Sequence, residues 1–221
     1  MVATTLYLCK QTNALIGYTQ SDEIQLCWMP TWESPMMYDG KAFKIMTGLT
    51  SMVSRYFNKH VGEYIPEKAG QDADFDCRVW SVPSQAEATN AFVWRELDAT
   101  RNSVSMAAQS MFSHKTLQGK NSSEMQDMMW SLKSVNWNNY PSFFKRGTYI
   151  QRRRSVRPFT TAELAKLPPK HAARKNPDLM IERNDYTIVS IPPITKIPNR
   201  TAFIFEGDLP IDVGTLEGVR A

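Results

Sequence analysis

The spacing of apolar positions changes period several times along the chain, and each change marks an element. Residues 1–12 read as the latter part of a helix that feeds an apolar run from Ala14 to Tyr18. A polar stretch, Thr19-Gln20-Ser21-Asp22-Glu23, separates that run from a second one, Ile24 to Met29. Two apolar runs around a short polar turn predict a β-hairpin with Asp22 and Glu23 at its tip. A loop rich in Trp, Pro and Met covers 28–40. From about Lys41 to His60, Ile45, Met46, Leu49, Met52, Val53, Tyr56 and Phe57 recur at helical spacing. Asp74 to Val82 alternates as a strand does, with Phe75, Cys77 and Val79 on one face and Asp76, Arg78 and Trp80 on the other. Ser84 and Glu87 form an S-x-x-E capping box that opens a long helix through about Phe112, and Asn121 with Glu124 opens another through about Leu132.

Beyond these helices the pattern is shorter. Asn136 to Pro141 is a polar-aromatic loop, and a strand is expected near Gly147 to Gln151, followed by the basic run Arg152-Arg153-Arg154. Thr160 and Glu163 cap a short helix that Pro168-Pro169 ends. Strands are expected at Tyr186–Ile191 and Ala202–Phe205, with a loose tail from about Leu209. The sum is an α+β fold: an antiparallel sheet with two long helices packed on it, then a helical and extended C-terminal region.

Composition narrows the class. At 221 residues, 42% hydrophobic and 22% charged, the chain can bury a proper core. No apolar run approaches the ~18 residues of a membrane span, and the N-terminus lacks the pattern of a secretory signal. Cys9, Cys27 and Cys77 are odd in number and set among apolar neighbours, so they read as reduced core residues of a cytoplasmic protein. His60, His114 and His171 are scattered, which disfavours a histidine metal site. The net charge of +4 hides an asymmetry: 101–176 carries 14 basic and 3 acidic residues, whereas 1–100 carries 8 basic and 12 acidic. An acidic front half and a basic back half suit a protein that binds a metal with one part and a polyanion with the other, or simply two solvated surfaces.

Carboxylates at a hairpin tip project into solvent or hold a hard cation, and Mg²⁺ accepts one or two carboxylates plus substrate phosphates. Lys41 and Lys44 sit at a helix start, where the dipole disfavours cations unless an anion docks there; the alternative is two side chains extended into water. Arg78 is a phosphate ligand or the partner of Asp76. Asp98, Arg101 and Asn102 share a helix face that is more often solvated than functional. Lys115 and Lys120 lie in a basic inter-helix string, and Trp137, Tyr140, Phe143 and Phe144 are interleaved with basic residues. Such a segment binds RNA or fills the core.

Nine strings run in order along almost the whole chain: YTQSDEI (18–24), FDCRV (75–79), DATRNSVSM (98–106), AQSMFSHKTLQGK (108–120), EMQDM (124–128), NWNNYP (136–141), FKRGT (144–148), LPPKHAARKNPDL (167–179) and NRTAFIFEG (199–207). In these the chain resembles the histidine-tRNA guanylyltransferase superfamily, specifically its guanylyltransferase-like branch. The resemblance implies a polymerase- or cyclase-like palm and a 3′–5′ polymerase that adds nucleotides to the 5′ end of tRNA with two Mg²⁺ ions, using GTP and ATP. It implies Asp22 as a metal ligand and catalytic residue, Glu23 supporting it, and Ser21 near the nucleotide. Lys41, Lys44 and Arg78 become triphosphate contacts. Charge alone adds Lys115, Lys120, Arg152, Arg153 and Arg154 as tRNA contacts. The family forms tetramers, so self-association is expected.

Two departures accompany the resemblance. The family's N-terminal strand, with its DGR-type metal motif, has no counterpart, because Met1–Thr5 aligns with the end of the helix that follows it. The chain therefore reads as an N-terminally truncated member: a partial palm over 1–113, first strand missing, and a basic region over 114–221 that packs on it. Two-metal chemistry places its ions about 4 Å apart and needs that second anchor, so this chain alone is expected to be inactive. Where eukaryotic members carry HINNLYN, this chain has Thr100-Arg101-Asn102-Ser103-Val104-Ser105-Met106, which points to repair of missing 5′ nucleotides. The rival expectations are a non-catalytic tRNA-binding remnant and a cyclase-like enzyme.

Overall fold

The computed structural model describes residues 1–32, 34–176 and 178–211. Helix α1 (Val2–Thr12) leads into strands β1 (Ile16–Gln20) and β2 (Glu23–Cys27), then α2 (Ala42–Tyr64) and α3 (Gln85–Gln109). Short helices α4 (His114–Leu117), α5 (Ser122–Lys133) and α6 (Ser142–Arg146) precede β3 (Thr148–Pro158). Helices α7 (Thr161–Lys166) and α8 (Ala172–Lys175), strand β4 (Met180–Val189) and α9 (Arg200–Phe205) follow. One four-stranded sheet, antiparallel throughout, has the order β2-β1-β3-β4. The 1–113 and 114–221 segments contribute two of its strands each.

Both faces of the sheet are covered, so β1 is buried without alternation. Ile16 and Tyr18 of β1 and Tyr149 of β3 meet Phe92 and Ala99 of α3 and Phe203 and Ile204 of α9. On the other face, Ile150 packs with Cys9 and Leu6 of α1. A Cβ on Gly17 would stand 2.5 Å from Cys9 Sγ, so only glycine lets α1 lie this close. Helix α2 joins that side through Ile45, Leu49 and Val53 against Leu8, Ile24 and Leu26. A satellite core ties α3 (Val104, Ala107, Ala108) to Leu117 and Met129.

The capping signals hold. Ser84 accepts from the Glu87 N–H, and full capping boxes open α5 (Asn121/Glu124) and α7 (Thr160/Glu163). Three expectations need correction. Residues 74–82 form no strand. Phe75, Cys77 and Val79 do turn inward onto α2, yet among the described residues no strand pairs with them, and a ladder needs a partner whatever the alternation. Ala202–Phe205 lies in helix α9, because Phe203 and Ile204 are adjacent and both buried, a demand helical geometry meets and strand alternation does not. Strand β3 runs on to Pro158 and β4 begins at Met180, so the arginine run is part of a long β-ribbon instead of following a strand that ends at Gln151. The expected tail lies partly outside the described residues.

Gly147 (φ +79°) presses the α6–β3 junction against the hairpin stem; a Cβ there would sit 2.6 Å from the Thr19 carbonyl oxygen. Gly147→Ala is expected to cost about 2 kcal/mol or more through left-handed strain and backbone collision, read by urea unfolding.

Candidate functional site

Gln20 pairs with Glu23, leaving Ser21-Asp22 as a two-residue turn. Ser21 takes φ 54°, the positive value such tight hairpin turns require at their first central position. The Thr19 hydroxyl donates to the Glu23 carbonyl at 2.8 Å and locks the stem. Of the two carboxylates expected at the tip, only Asp22 is in the turn. It is exposed and makes no ion pair among the described residues. Glu23 begins β2 and is held by Arg95 of α3 at 2.8 Å.

Arg95 also lies 3.6 Å from Asp98, which receives Arg101 and Asn102, each at 3.3 Å. The helix residues that read as a solvated face are thus joined to the hairpin through one arginine. Nothing in the sequence distinguishes Arg95, since its role comes from where α3 crosses the sheet. Its neighbour Glu96 did leave a signal, a carboxylate in the buried stripe Ala88, Phe92, Ala99, Ser103. Glu96 is 3% exposed and accepts from the Tyr149 hydroxyl (2.9 Å) and the Ile194 N–H (2.8 Å). Burial raises its pKa, with those two hydrogen bonds and Arg146 opposing.

The other expected residues are dispersed. Lys41 is the N-cap residue of α2 and lies 3.7 Å from Asp39; Lys44 is in the first turn, and that helix start has no side-chain cap and no acidic residue. Arg78 pairs with Asp76 at 3.2 Å, both exposed. Among the described residues no hydrogen bond or ion pair joins Lys41, Lys44 or Arg78 to Ser21, Asp22 or Glu23. Lys115 is exposed on α4, and Lys120 pairs with Glu124 at 3.4 Å. Arg152 donates to the Asn13 carbonyl, Arg153 to Gln151 and Arg154 to Glu182. Consecutive strand residues face opposite sides, so this arginine run divides between two surfaces. Of the interleaved aromatics, Trp137, Tyr140 and Phe144 pack into the satellite core, while Phe143 is 63% exposed.

Among the described residues no three His, Cys, Asp or Glu side chains converge, so no closed metal cage forms. One unpaired carboxylate with a second beside it instead suits Mg²⁺, whose remaining positions go to water and phosphate. Among the described residues no helix is long and apolar enough to cross a membrane.

Residues 1–83 match the family described as Thg1, tRNAHis guanylyltransferase. A bacterial tRNA(His) guanylyltransferase (Thg1)-like protein in complex with ATP is 36% identical, with 68% of this chain and 64% of that chain covered and a TM-score of 0.62. A bacterial Thg1-like protein in complex with GTP is 26% identical over 88% of this chain and 71% of that one, with a TM-score of 0.61. A probable tRNA(His) guanylyltransferase of Drosophila melanogaster is 21% identical over 164 residues, which span 70% of this chain and only 56% of the fly protein. In its antiparallel sheet and in these matches, the chain is similar to the tRNA(His) guanylyltransferase (Thg1) superfamily, and it spans less than two thirds of the length of the fly protein and of the ATP-bound bacterial protein.

Proposed function

We propose that the protein takes part in nucleotidyl transfer to the 5′ end of tRNA, with the hairpin turn as the reacting centre. The observation that carries this reading is the Ser21-Asp22 turn, which lifts an unpaired carboxylate clear of the sheet end beside the Glu23–Arg95 pair. Its similarity to the superfamily, and two similar proteins in complex with ATP and GTP, support nucleotides as substrates.

Asp22, with Glu23 at its side, would hold Mg²⁺ together with substrate phosphates; when bound, the metal supplies charge neutralisation and acidifies a hydroxyl. Lys41, Lys44 and Arg78 would take the triphosphate, their present partners Asp39 and Asp76 being exposed and readily exchanged for a stronger anion. Arg95 holds the Glu23 carboxylate against α3 and so fixes the hairpin's reach. Ser21 lies beside the nucleotide. Lys115, Lys120 and Arg152 to Arg154 would track the RNA backbone. Transfer of this kind relies on position and charge more than on a protein nucleophile. In the full reaction as we read it, the nucleotide's 3′ hydroxyl attacks the activated 5′ phosphate of the RNA, and pyrophosphate or AMP leaves.

The test is to incubate the protein with 5′-truncated tRNA, Mg²⁺, ATP and labelled nucleotides. Label at the 5′ end supports transfer. Label from a version extended upstream to restore the second metal anchor, and none from this chain, keeps the transfer reading; tRNA binding with no label from either form overturns it in favour of a tRNA-binding module, a reading that the basic segment 101–176 favours.

A further inference from the structure

Two extended backbones lie on the apolar side of α2, and each has an edge that no other backbone pairs. Strand β2 ends the sheet order, so its edge away from β1 is open. Residues 74–82 alternate as a strand does, with Phe75, Cys77 and Val79 half-buried and Asp76, Arg78 and Trp80 exposed. Yet their backbone N–H and C=O groups form no hydrogen bond among the described residues. Side chains fix this run instead. The Asn58 amide of α2 donates to the Ala73 carbonyl at 3.1 Å and accepts from its N–H at 2.9 Å. The Phe75 ring stands edge-on to Phe57 of α2, with centroids 5.3 Å apart. Beyond the other end of the run, the Gln85 amide donates to Met29 Sδ at 3.1 Å, just past the end of β2.

Both runs turn their apolar side chains toward one place. Ile24 and Leu26 of β2 pack on the same α1–α2 cluster as Phe75, Cys77 and Val79. That cluster is poorly covered: four of its side chains are buried and ten only partly so, against nine and four in the cluster on the α3 face of the sheet. Unpaired extended backbone beside a half-covered apolar floor is the arrangement that strand addition completes. Main-chain hydrogen bonds then give the affinity and alternate side chains the fit.

We infer that a slot between β2 and 74–82 takes an added β-strand from a separate polypeptide. Its length matches the five residues of β2 and the alternation from Phe75 to Val79. One face of the added strand is apolar, because it meets the α1–α2 cluster; the other is polar, because it lies in solvent beside Asp76 and Arg78. The strands among the described residues are already paired in the sheet. In 212–221 the apolar residues Val213, Leu216 and Val219 fall three apart, a spacing that gives no strand face. A second copy offers for this slot only runs that lie on its own α2, and these would have to leave it. A strand from another polypeptide carries no such cost.

The test is hydrogen exchange read by mass spectrometry. The probe is a short peptide that alternates valine with threonine and carries lysines at both ends. In the free protein the amides of 74–82 are expected to exchange fast, since they have no acceptors. Saturating peptide is expected to slow exchange in both 23–27 and 74–82. A peptide with a central proline, which lacks an N–H that the ladder needs, is expected to bind about fivefold more weakly. Asp76→Pro is expected to act alike from the protein side, at an exposed position whose N–H bonds nothing in the free protein. If that variant does not fold, the proline peptide carries the comparison. Absence of binding, binding that leaves either run exchanging as before, or indifference to proline refutes the added strand. Slowing that grows with protein concentration and needs no peptide assigns the slot to a second copy. Slowing in an upstream-extended form without peptide assigns it to the same chain, and either result refutes the separate partner. No metal, nucleotide or RNA takes part, so refutation leaves the reading of Asp22 standing, and failure of 5′ labelling leaves the slot standing.

Discussion

In a form that carries the second metal anchor and labels tRNA, Asp22→Asn is expected to lower 5′-end labelling by about 100-fold or more while leaving tRNA affinity nearly unchanged. The carboxylate stands in a two-residue turn with no protein partner among the described residues, so replacing it breaks nothing in the fold. What it removes is the negative charge that a hard cation needs, and asparagine of the same shape binds Mg²⁺ far less well. A hundredfold loss corresponds to about 3 kcal/mol of transition-state stabilisation, the scale on which metal-assisted charge neutralisation acts. Single-turnover labelling beside a filter-binding isotherm reads both quantities. Labelling at the parent rate would remove Asp22 from the reaction.

Glu96→Ala is expected to be the most destabilising single change away from that turn, by about 3–4 kcal/mol, or a fall of about 10 °C in the thermal midpoint. The substitution strands the Tyr149 hydroxyl and the Ile194 N–H in a core where Phe92, Phe203 and Ile204 exclude water, and it opens a cavity beside them. Glu96→Gln keeps the volume and isolates the charge. Because the folded state raises the pKa of Glu96 above its ordinary 4.5, the folded protein holds the proton more tightly than the unfolded chain. Its contribution is fully present below 4.5 and is lost as pH rises through the folded value. The stability of the Gln variant relative to the parent should therefore be flat below pH 4.5 and climb above it. A difference that stays constant with pH, measured by urea unfolding at several values, would show that Glu96 is not held in its protonated form.

Much of the local architecture is written in short-range pattern. The capping residues Ser84, Asn121 and Thr160 mark helix starts because their side chains satisfy backbone N–H groups within three residues, a requirement no distant contact alters. The hairpin is equally local, its register following from two apolar runs and a polar turn. Residues 74–82 and 202–205 defeat the same reasoning. Alternation at Phe75, Cys77 and Val79 reports which side chains are buried, but a strand exists only when another backbone accepts its hydrogen bonds. At 202–205 a short apolar run reads the same as helix or strand, and packing against α3 decides.

The chain by itself determined the capped helix starts, the acidic turn and the basic back half. Those depend on residues near one another in sequence. Tertiary structure alone decided that Arg95 reaches Glu23 across 72 positions, that the arginine run splits between two faces of a ribbon, and that the Arg146 Nε is buried without a partner. The first and last are set by where helices pack on the sheet, which depends on whole apolar faces rather than on any one residue's neighbours, and the second by the long pairing of β3 with β4.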